Sequence, residues 1–313
     1  MVKIDLITGF LGSGKTTFLR KYASYLLEQG IRIGILENDF GAVNVDMMLL
    51  LDLEGDNCDL EMISGGCDAD CHKRRFKTKL IAYGMNGLDR VLVEPSGIYD
   101  VDEFFDTLRE EPLNQWYEIG SVIAIVDANL EQNLSEEAQY LLATQIANAG
   151  RVILSRSQYA FREEIAGTVS KLNDILIKHG CRRKLEEELV CKPWDVLTPE
   201  DFDEIAACGY VPADCTGSGI NKENTFTSLY FMNVHMTEKE LRLAIQNIFH
   251  DTACGRVLRI KGFMATESGT WNEINATGRQ TVIKPIEAGQ EILIVIGEAL
   301  EEHVIRSYFP GEV

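Results

Sequence analysis

Residues 2–29 read Val-Lys-Ile-Asp-Leu-Ile-Thr, then Gly9-Phe10-Leu11-Gly12-Ser13-Gly14-Lys15-Thr16, then Thr-Phe-Leu-Arg-Lys-Tyr-Ala-Ser-Tyr-Leu-Leu-Glu-Gln. A short apolar strand runs into a glycine-rich loop, and the loop runs into an amphipathic helix. The spacing G-x-x-x-x-G-K-[ST] is met in full, with the strand before it and the helix after it that a P-loop requires. Glycines let the backbone fold so that several N–H groups point into one concavity, where a phosphate chain rests against a helix N-terminus. Gly12, Ser13, Gly14, Lys15, Thr16 and Thr17 are therefore the expected nucleotide-phosphate contacts. Lys15 reaches the β- and γ-phosphates, and the Thr16 hydroxyl is placed to ligate Mg²⁺.

The bulk properties narrow the surroundings of this loop. A chain of 313 residues suggests two domains. Hydrophobic residues make up 45% and charged residues 25%, as in soluble proteins with a sizeable core. The net charge of −19 argues against a nucleic-acid or anionic-membrane binder, since both need a basic face. Met1 is followed at once by the strand and the P-loop, so no secretory leader is expected. No apolar run approaches the ~18 residues of a membrane helix. The eight cysteines read as reduced thiols of a cytoplasmic protein, some of them metal-binding, rather than as a disulfide framework.

Further along, Ile31 to Leu36 forms a second strand that ends in Glu37-Asn38-Asp39-Phe40-Gly41. Ligands of open parallel sheets bind beyond the carboxyl ends of the strands. Glu37 and Asp39 fall there, at the level of the P-loop, to orient a water on Mg²⁺ or the attacking water; the plainer alternative is that they cap the next helix. The segment through Asp46 to Leu50 has no strong period and reads as a switch. Another strand ends in the acid of Val91-Leu92-Val93-Glu94-Pro95-Ser96-Gly97. Glu94 is placed to complete the Mg²⁺ shell, directly or through water, and Gly97 permits close backbone approach to a γ-phosphate.

Between these strands lies Cys58-Asp-Leu-Glu-Met-Ile-Ser64-Gly65-Gly66-Cys67-Asp68-Ala69-Asp70-Cys71-His72-Lys73-Arg74-Arg75. It reads as a short strand, a Gly-Gly turn and a helix to about Tyr83. On a helix Cys67 and Cys71 stand at i and i+4, with Cβ atoms roughly 5–6 Å apart. Two thiolates there can share Zn²⁺ or Co²⁺, with Zn–S bonds of about 2.3 Å, and His72, Cys58, Asp68 or Asp70 can complete the shell. The plainer reading is a pair of small residues at a helix start, because C-x-x-x-C alone is a weak signal. The basic run from His72 to Lys79 reads as a solvated helix face or as a dock for an acidic partner or a phosphate.

Alternating strands and helices continue through Arg151-Val-Ile-Leu154, which ends in Ser155-Arg156-Ser157-Gln158, and a helix from about Tyr159 to His179 closes the unit. This alternation predicts a parallel sheet covered by helices on both faces. Lys184 to Leu189 reads as a charged helical face, and Cys215 to Gly219 as a small-residue loop bordering a base or opening a linker. From about Asn224 the texture changes to a strand, a helix over residues 238–249, and four more short strands, a separate α+β unit with an antiparallel sheet. The expected fold is thus an α/β P-loop NTPase domain over residues 1–222 and a smaller α+β domain over residues 223–313.

Taken together, these segments resemble the CobW-like GTPases, relatives of the hydrogenase and urease nickel-insertion GTPases. Gly9 to Thr17 is similar to that family's P-loop, Glu37-Asn-Asp-Phe-Gly41 with Asp46 to its E-N-E-F-G…D segment, Glu94-Pro-Ser-Gly97 to its E-T-S-G Walker B, and Val257 to Phe263 to its C-terminal signature. The resemblance implies Mg²⁺-dependent hydrolysis of GTP by a metallochaperone or cofactor-insertion factor, with Lys15, Glu37, Asp39 and Glu94 in the chemistry. It implies Cys67 and Cys71, with His72, at the transition metal, and Ser155, Arg156 and Gln158 at the base. GTP and GDP, a client metalloprotein or corrinoid protein, and a homodimer are the implied partners; no nucleic acid and no membrane are expected.

Two departures stand out. The family's C-x-C-C is here Cys67-Asp-Ala-Asp-Cys71, one thiol fewer and one residue longer. Its N-K-x-D is here Ser155-Arg-Ser-Gln158, and a neutral Gln cannot accept from guanine N1–H and N2–H together. A donor left unpaired costs about 1–3 kcal/mol, which predicts a relaxed or altered purine preference. No residue reads as an arginine finger, so slow turnover is expected, accelerated by a partner or by dimerisation. Two alternatives stand beside this reading: an NTP-driven remodelling chaperone without metal cargo, and a P-loop small-molecule kinase, against which the Glu94-Pro-Ser-Gly97 turn argues.

Overall fold

The structure is a computed structural model that describes residues 1–38, 45–63, 69–131, 133–185, 189–213, 226–266, 269–287 and 289–309, with the side chains of Val45, Ala69 and Asp70 excepted. Asp39, the Gly65-Gly66 turn, Cys67, Asp68 and the Cys215–Gly219 loop, all singled out above, lie outside the described residues. The chain divides into two compact units, Met1–Gly219 and Ile220–Val313.

In the first unit, strands alternate with helices. In chain order they are β1 (Val2–Thr8), α1 (Lys15–Glu28), β2 (Ile33–Asn38), α2 (Val45–Met48), β3 (Cys58–Ile63), α3 (Ala69–Met85), β4 (Arg90–Pro95) and α4 (Val101–Arg109). After these come α5 (Leu113–Trp116), β5 (Tyr117–Asp127), α6 (Glu136–Ala147), β6 (Arg151–Ser155), α7 (Arg162–Lys178), β7 (Leu189–Val190) and α8 (Pro199–Ala206). The seven strands form one sheet in the order β3-β2-β4-β1-β5-β6-β7, and every pairing in it is parallel. Strands β2 and β4 are buried along their whole length, as expected of central strands covered on both faces.

Helix α1 lays Phe18, Leu19, Tyr22 and Tyr25 into the core, and Phe202 of α8 stacks on Tyr25 with ring centroids 5.0 Å apart. Beneath them is a buried polar knot. Asp5 of β1 accepts from Tyr22 Oη at 2.8 Å, Arg90 Nη1 at 2.9 Å and the Ser121 backbone N–H at 2.8 Å. Arg90 also donates to the Ala206 carbonyl at 3.2 Å. Burial pushes the Asp5 carboxyl up, and the Arg90 guanidinium works against that rise. The knot joins β1, β4, β5, α1 and α8 at the end of the sheet away from the P-loop.

Three local assignments differ from the sequence reading. Strand β5 begins at Tyr117, because the short α5 turn ends there. The helix expected from Tyr159 begins at Arg162, after a 3-10 turn over Ser157–Tyr159. Lys184 and Leu185 are irregular and Leu189 opens β7, so these positions do not carry the expected helical face. Helix α8 has clear local signals, Thr198 as N-cap, Pro199 in the first turn and a capping box with Asp201.

The second unit contains β8 (Phe226–Met232), α9 (Glu238–His250), β9 (Arg256–Ala265), β10 (Trp271–Thr277), β11 (Gln280–Ile286), β12 (Ile292–Glu298) and α10 (Glu302–Arg306). Its strands form one antiparallel sheet in the order β11-β10-β9-β12-β8. Leu241 and Ile245 of α9 and Ile305 of α10 pack with Phe231, Ile260 and Val295 of the sheet. Among the described residues, no helix of either unit is long and apolar enough to cross a membrane.

Candidate functional site

The P-loop leaves the carboxyl end of β1, and α1 begins at Lys15. Gly14 takes φ +99°, in the left-handed region that only glycine enters cheaply. Both Lys15 and Thr16 are buried. Thr16 Oγ1 donates to Glu94 Oε1 at 2.9 Å and so joins the loop to the end of β4. Strands β2 and β4 run in register with Glu37 opposite Glu94, and both carboxyls are buried. Burial pushes the Glu94 carboxyl up to about 7; Lys15 opposes that rise and Asp46 adds to it.

Glu94 Oε2 accepts from no N–H or hydroxyl among the described residues, and its carboxyl has the Glu37 carboxyl within hydrogen-bonding reach. A buried carboxylate oxygen left over beside a P-loop threonine is an oxygen-donor set of the kind that suits a hard divalent cation. The residues present therefore fit Mg²⁺.

The turn after β4 presses on the loop. A Cβ on Gly97 would lie 2.6 Å from the Leu11 backbone nitrogen. Ser96 N–H donates to the Asn38 carbonyl at 2.8 Å, and Gln145 Nε2 of α6 donates to the Gly97 carbonyl at 3.2 Å. The turn is thus held between β2, α6 and the P-loop.

On the other flank, Arg156 adopts φ +56° and its guanidinium bridges two elements. Nη1 pairs with Asp127 Oδ2 at 2.5 Å and Nη2 donates to the Gly12 carbonyl at 3.0 Å. Ser155 is buried beside Gly14, whereas Gln158 is exposed. Sequence reasoning missed Trp194. It opens a 3-10 turn over Trp194–Val196, and its Cη2 would stand 3.2 Å from a Cβ on Gly14. No motif marks it, since a tryptophan 180 residues after the loop reaches the loop only through the sheet order.

The cysteine segment divides. Cys71 is partly exposed and lines an open cleft of about 500 Å³ between β3 and α3, together with Met62, Ile63, Arg74 and Lys79. His72, one residue on, is fully buried and hydrogen-bonds through Nε2 to Asn38 Oδ1 at the end of β2. Neighbouring residues on a helix face different directions, so His72 is turned toward the nucleotide end of the sheet.

Cys58 is buried at the opposite end of β3 from Ile63, about 16 Å away at the usual rise per strand residue. Burial raises its thiol to about 11, and it does not complete a shell with Cys71. Lys73 and Lys77 pair with Glu110 at 2.9 and 2.8 Å, and Lys79 pairs with Glu61 at 2.6 Å. Among the described residues, which exclude Cys67, no three His, Cys, Asp or Glu side chains gather to hold a metal.

The profile of the CobW/HypB/UreG nucleotide-binding domain matches residues 3–176 of the chain. The chain is 29% identical to the zinc chaperone YjiA of Escherichia coli K12, over 99% of this chain and 98% of that protein. It is 24% identical to zinc-regulated GTPase metalloprotein activator 1 of Schizosaccharomyces pombe, over 64% of this chain and 49% of that protein. The crystal structure of Zn(II)-bound YjiA GTPase from E. coli aligns over 100% of this chain and 99% of that one, at 18% identity and a TM-score of 0.36.

Proposed function

The chain belongs to the CobW/HypB/UreG family, and from that membership we propose that it is a Mg²⁺-dependent GTP hydrolase acting as a metallochaperone. The observation that carries the reading is the Thr16–Glu94 hydrogen bond, with Glu37 in register beside it. It sets a hydroxyl and two buried carboxyls at the mouth of an intact phosphate loop, the oxygen set of a Mg²⁺–nucleotide site.

In this reading the backbone N–H groups of Gly12 to Thr17 and the Lys15 ammonium hold the phosphates in line for attack. They stabilise the charge that develops on the transferred phosphoryl. Thr16 and Glu94 would hold Mg²⁺, Glu94 directly or through water; when bound, the ion neutralises charge on the phosphate oxygens. Glu37 orients the attacking water, a role that Asp39 can share. Gly97 contacts the γ-phosphate side of the loop, while Ser155, Arg156 and Gln158 border the base. Because no residue of the sequence reads as an arginine finger, turnover is slow until a client or a second copy of the chain binds.

The cargo is Zn²⁺ or Co²⁺ held by Cys67 and Cys71, with His72 nearby. Its proposed destination is a client metalloprotein in the cytoplasm. Relatives named as zinc chaperones support zinc as the metal. The basic helix α3, which carries Cys71, connects this cargo site to the nucleotide through His72 and Asn38.

The test is Mg²⁺-dependent GTP hydrolysis by the purified chain and by Thr16→Ala. Thr16→Ala is expected to lose Mg²⁺-dependent turnover by a hundredfold or more, on the order of one lost transition-state contact. Equal turnover in the two proteins would remove the reading. Anaerobic Co²⁺ titration tests the cargo: a thiolate–Co²⁺ band that Cys67→Ala abolishes is expected, and its absence from the unsubstituted chain would exclude metal at these thiols.

A further inference from the structure

Beside the P-loop stand several buried polar atoms that have no hydrogen-bond partner among the described residues. Ser155 Oγ and Trp194 Nε1 are buried, and neither has a hydrogen-bond partner among the described residues. Both residues flank the same loop glycine. A Cβ on Gly14 would lie 3.2 Å from Trp194 Cη2 and 3.6 Å from Ser155 Cβ. Two residues on, Ser157 Oγ is in the same condition. Buried donors and acceptors in folded proteins are nearly always paired, so a group of orphans beside a ligand loop points to pairing by the ligand.

The indole is held in place. Its ring meets Phe18 edge-on, with centroids 5.5 Å apart at 68°. The next residue, Asp195, pairs with Lys21 of α1 at 2.8 Å. Trp194 also lines an open cleft of about 500 Å³ along α1 with Thr17 and Lys21. Of the other two residues that the sequence suggests for base recognition, one is committed and one is exposed. Arg156 is committed to Asp127 and the Gly12 carbonyl, and Gln158 is exposed.

We propose that Trp194, with Ser155, is the platform for the nucleoside of the bound nucleotide, holding it by aromatic contact and by N–H and O–H hydrogen bonds rather than through a carboxylate at position 158. This rests on the nucleotide-hydrolase reading and adds to it the residue that recognises the nucleoside. Aromatic contact of this kind tolerates any base, because every base has a π-face. The donors offered by an indole N–H and a serine hydroxyl meet acceptors that all purines carry.

The experiment compares two ligands in the full-length chain by calorimetry with Mg²⁺ present: GTP, and inorganic triphosphate, which fills the phosphate loop without a nucleoside. Trp194→Ala is expected to weaken GTP roughly tenfold, the lower range of aromatic–base contacts, and to leave triphosphate affinity unchanged. Unchanged GTP affinity, or equal weakening of both ligands, overturns the proposal; equal weakening makes Trp194 a prop for Gly14 alone.

A second measurement does not depend on that variant folding. The chain has three tryptophans, and Trp116→Phe/Trp271→Phe leaves Trp194 as the sole emitter. Its emission is expected to change with GTP and not with triphosphate; silence toward both overturns the proposal. If the unsubstituted chain binds neither ligand, the hydrolase reading itself falls. If it binds both and Trp194 makes no difference between them, only the nucleoside platform falls.

Discussion

Replacing Arg90 with Met tests the buried knot that ties the nucleotide strand β1 to its neighbours. In the native chain Asp5 is fully buried and accepts three hydrogen bonds, one of them from Arg90 at 2.9 Å. Methionine keeps much of the arginine stem but removes the guanidinium, leaving a carboxylate with only Tyr22 and the Ser121 N–H. Breaking a buried ion pair from one side costs about 3–5 kcal/mol, a large part of the 5–15 kcal/mol or so that holds a typical domain together. The Ala206 carbonyl and the Tyr22 hydroxyl lose a donor at the same time.

Asp5→Asn/Arg90→Met removes both charges, and a neutral pair of similar volume is often tolerated. The double variant is therefore expected to lie above the sum of the single losses, with a coupling of roughly 2 kcal/mol or more. Urea denaturation of the four proteins of the cycle at pH 7 measures this. The pH dependence has a definite sign. Burial already raises the Asp5 carboxyl, with Arg90 opposing, and losing Arg90 raises it further. A folded-state pKa above the unfolded value gives stability that is present at low pH and lost as pH rises through the folded value. Arg90→Met is thus expected to lie closer to the native protein at pH 5 than at pH 8. A loss below about 1 kcal/mol at pH 7, additive single losses, or a deficit that grows on acidification would refute the reasoning.

Other substitutions and one titration probe the site and its frame. Gly97→Ala places a methyl 2.6 Å from the Leu11 nitrogen; it is expected to cost about 1–3 kcal/mol of stability and to weaken Mg²⁺–GTP binding, read together by thermal melting with and without nucleotide. Gln158→Asp restores the paired acceptor for guanine and is expected to raise the preference for GTP over ATP by about tenfold or more, the value of a donor no longer left unpaired, as competitive nucleotide binding would measure. Glu110 is held below the ordinary carboxylate range by hydrogen bonds from Lys77 and Lys73. Its contribution to stability is present above the ordinary carboxylate pKa and lost as pH falls through the lowered value; NMR titration of its carboxyl should move toward the ordinary range in Lys73→Ala/Lys77→Ala.

The phosphate loop was legible because its chemistry is local. The spacing from Gly9 to Thr16 fixes a backbone shape within one strand–turn–helix unit, whatever surrounds it. The strand ends at Glu37 and Glu94 were legible for a related reason: in a parallel sheet the carboxyl end of a strand is the ligand end, so an acid there has a place before any contact is known. The antiparallel second unit followed from short strands separated by turns.

Other features depended on contacts between residues far apart in the chain. The knot of Asp5, Tyr22 and Arg90 spans 85 positions, and nothing in the sequence distinguishes Asp5 from a surface acid. His72 reads as a neighbour of Cys71, yet helix geometry turns it inward onto Asn38. Cys58 reads as a spare thiol for the same ion, and the length of β3 carries it to the far end of the sheet.

By itself, the sequence determined that this protein has a phosphate cradle, where the cradle stands in an α/β sheet, and which acids share its level, because loop spacing and strand polarity are local properties. Only the tertiary structure decided that Trp194 and Ser155 meet at Gly14, that Arg156 grips Gly12, and that His72 joins Asn38. Those contacts follow from the strand order β4-β1-β5-β6-β7 and from helix α3 reaching β2 through His72 and Tyr83, and sheet order is set by the packing of the whole unit.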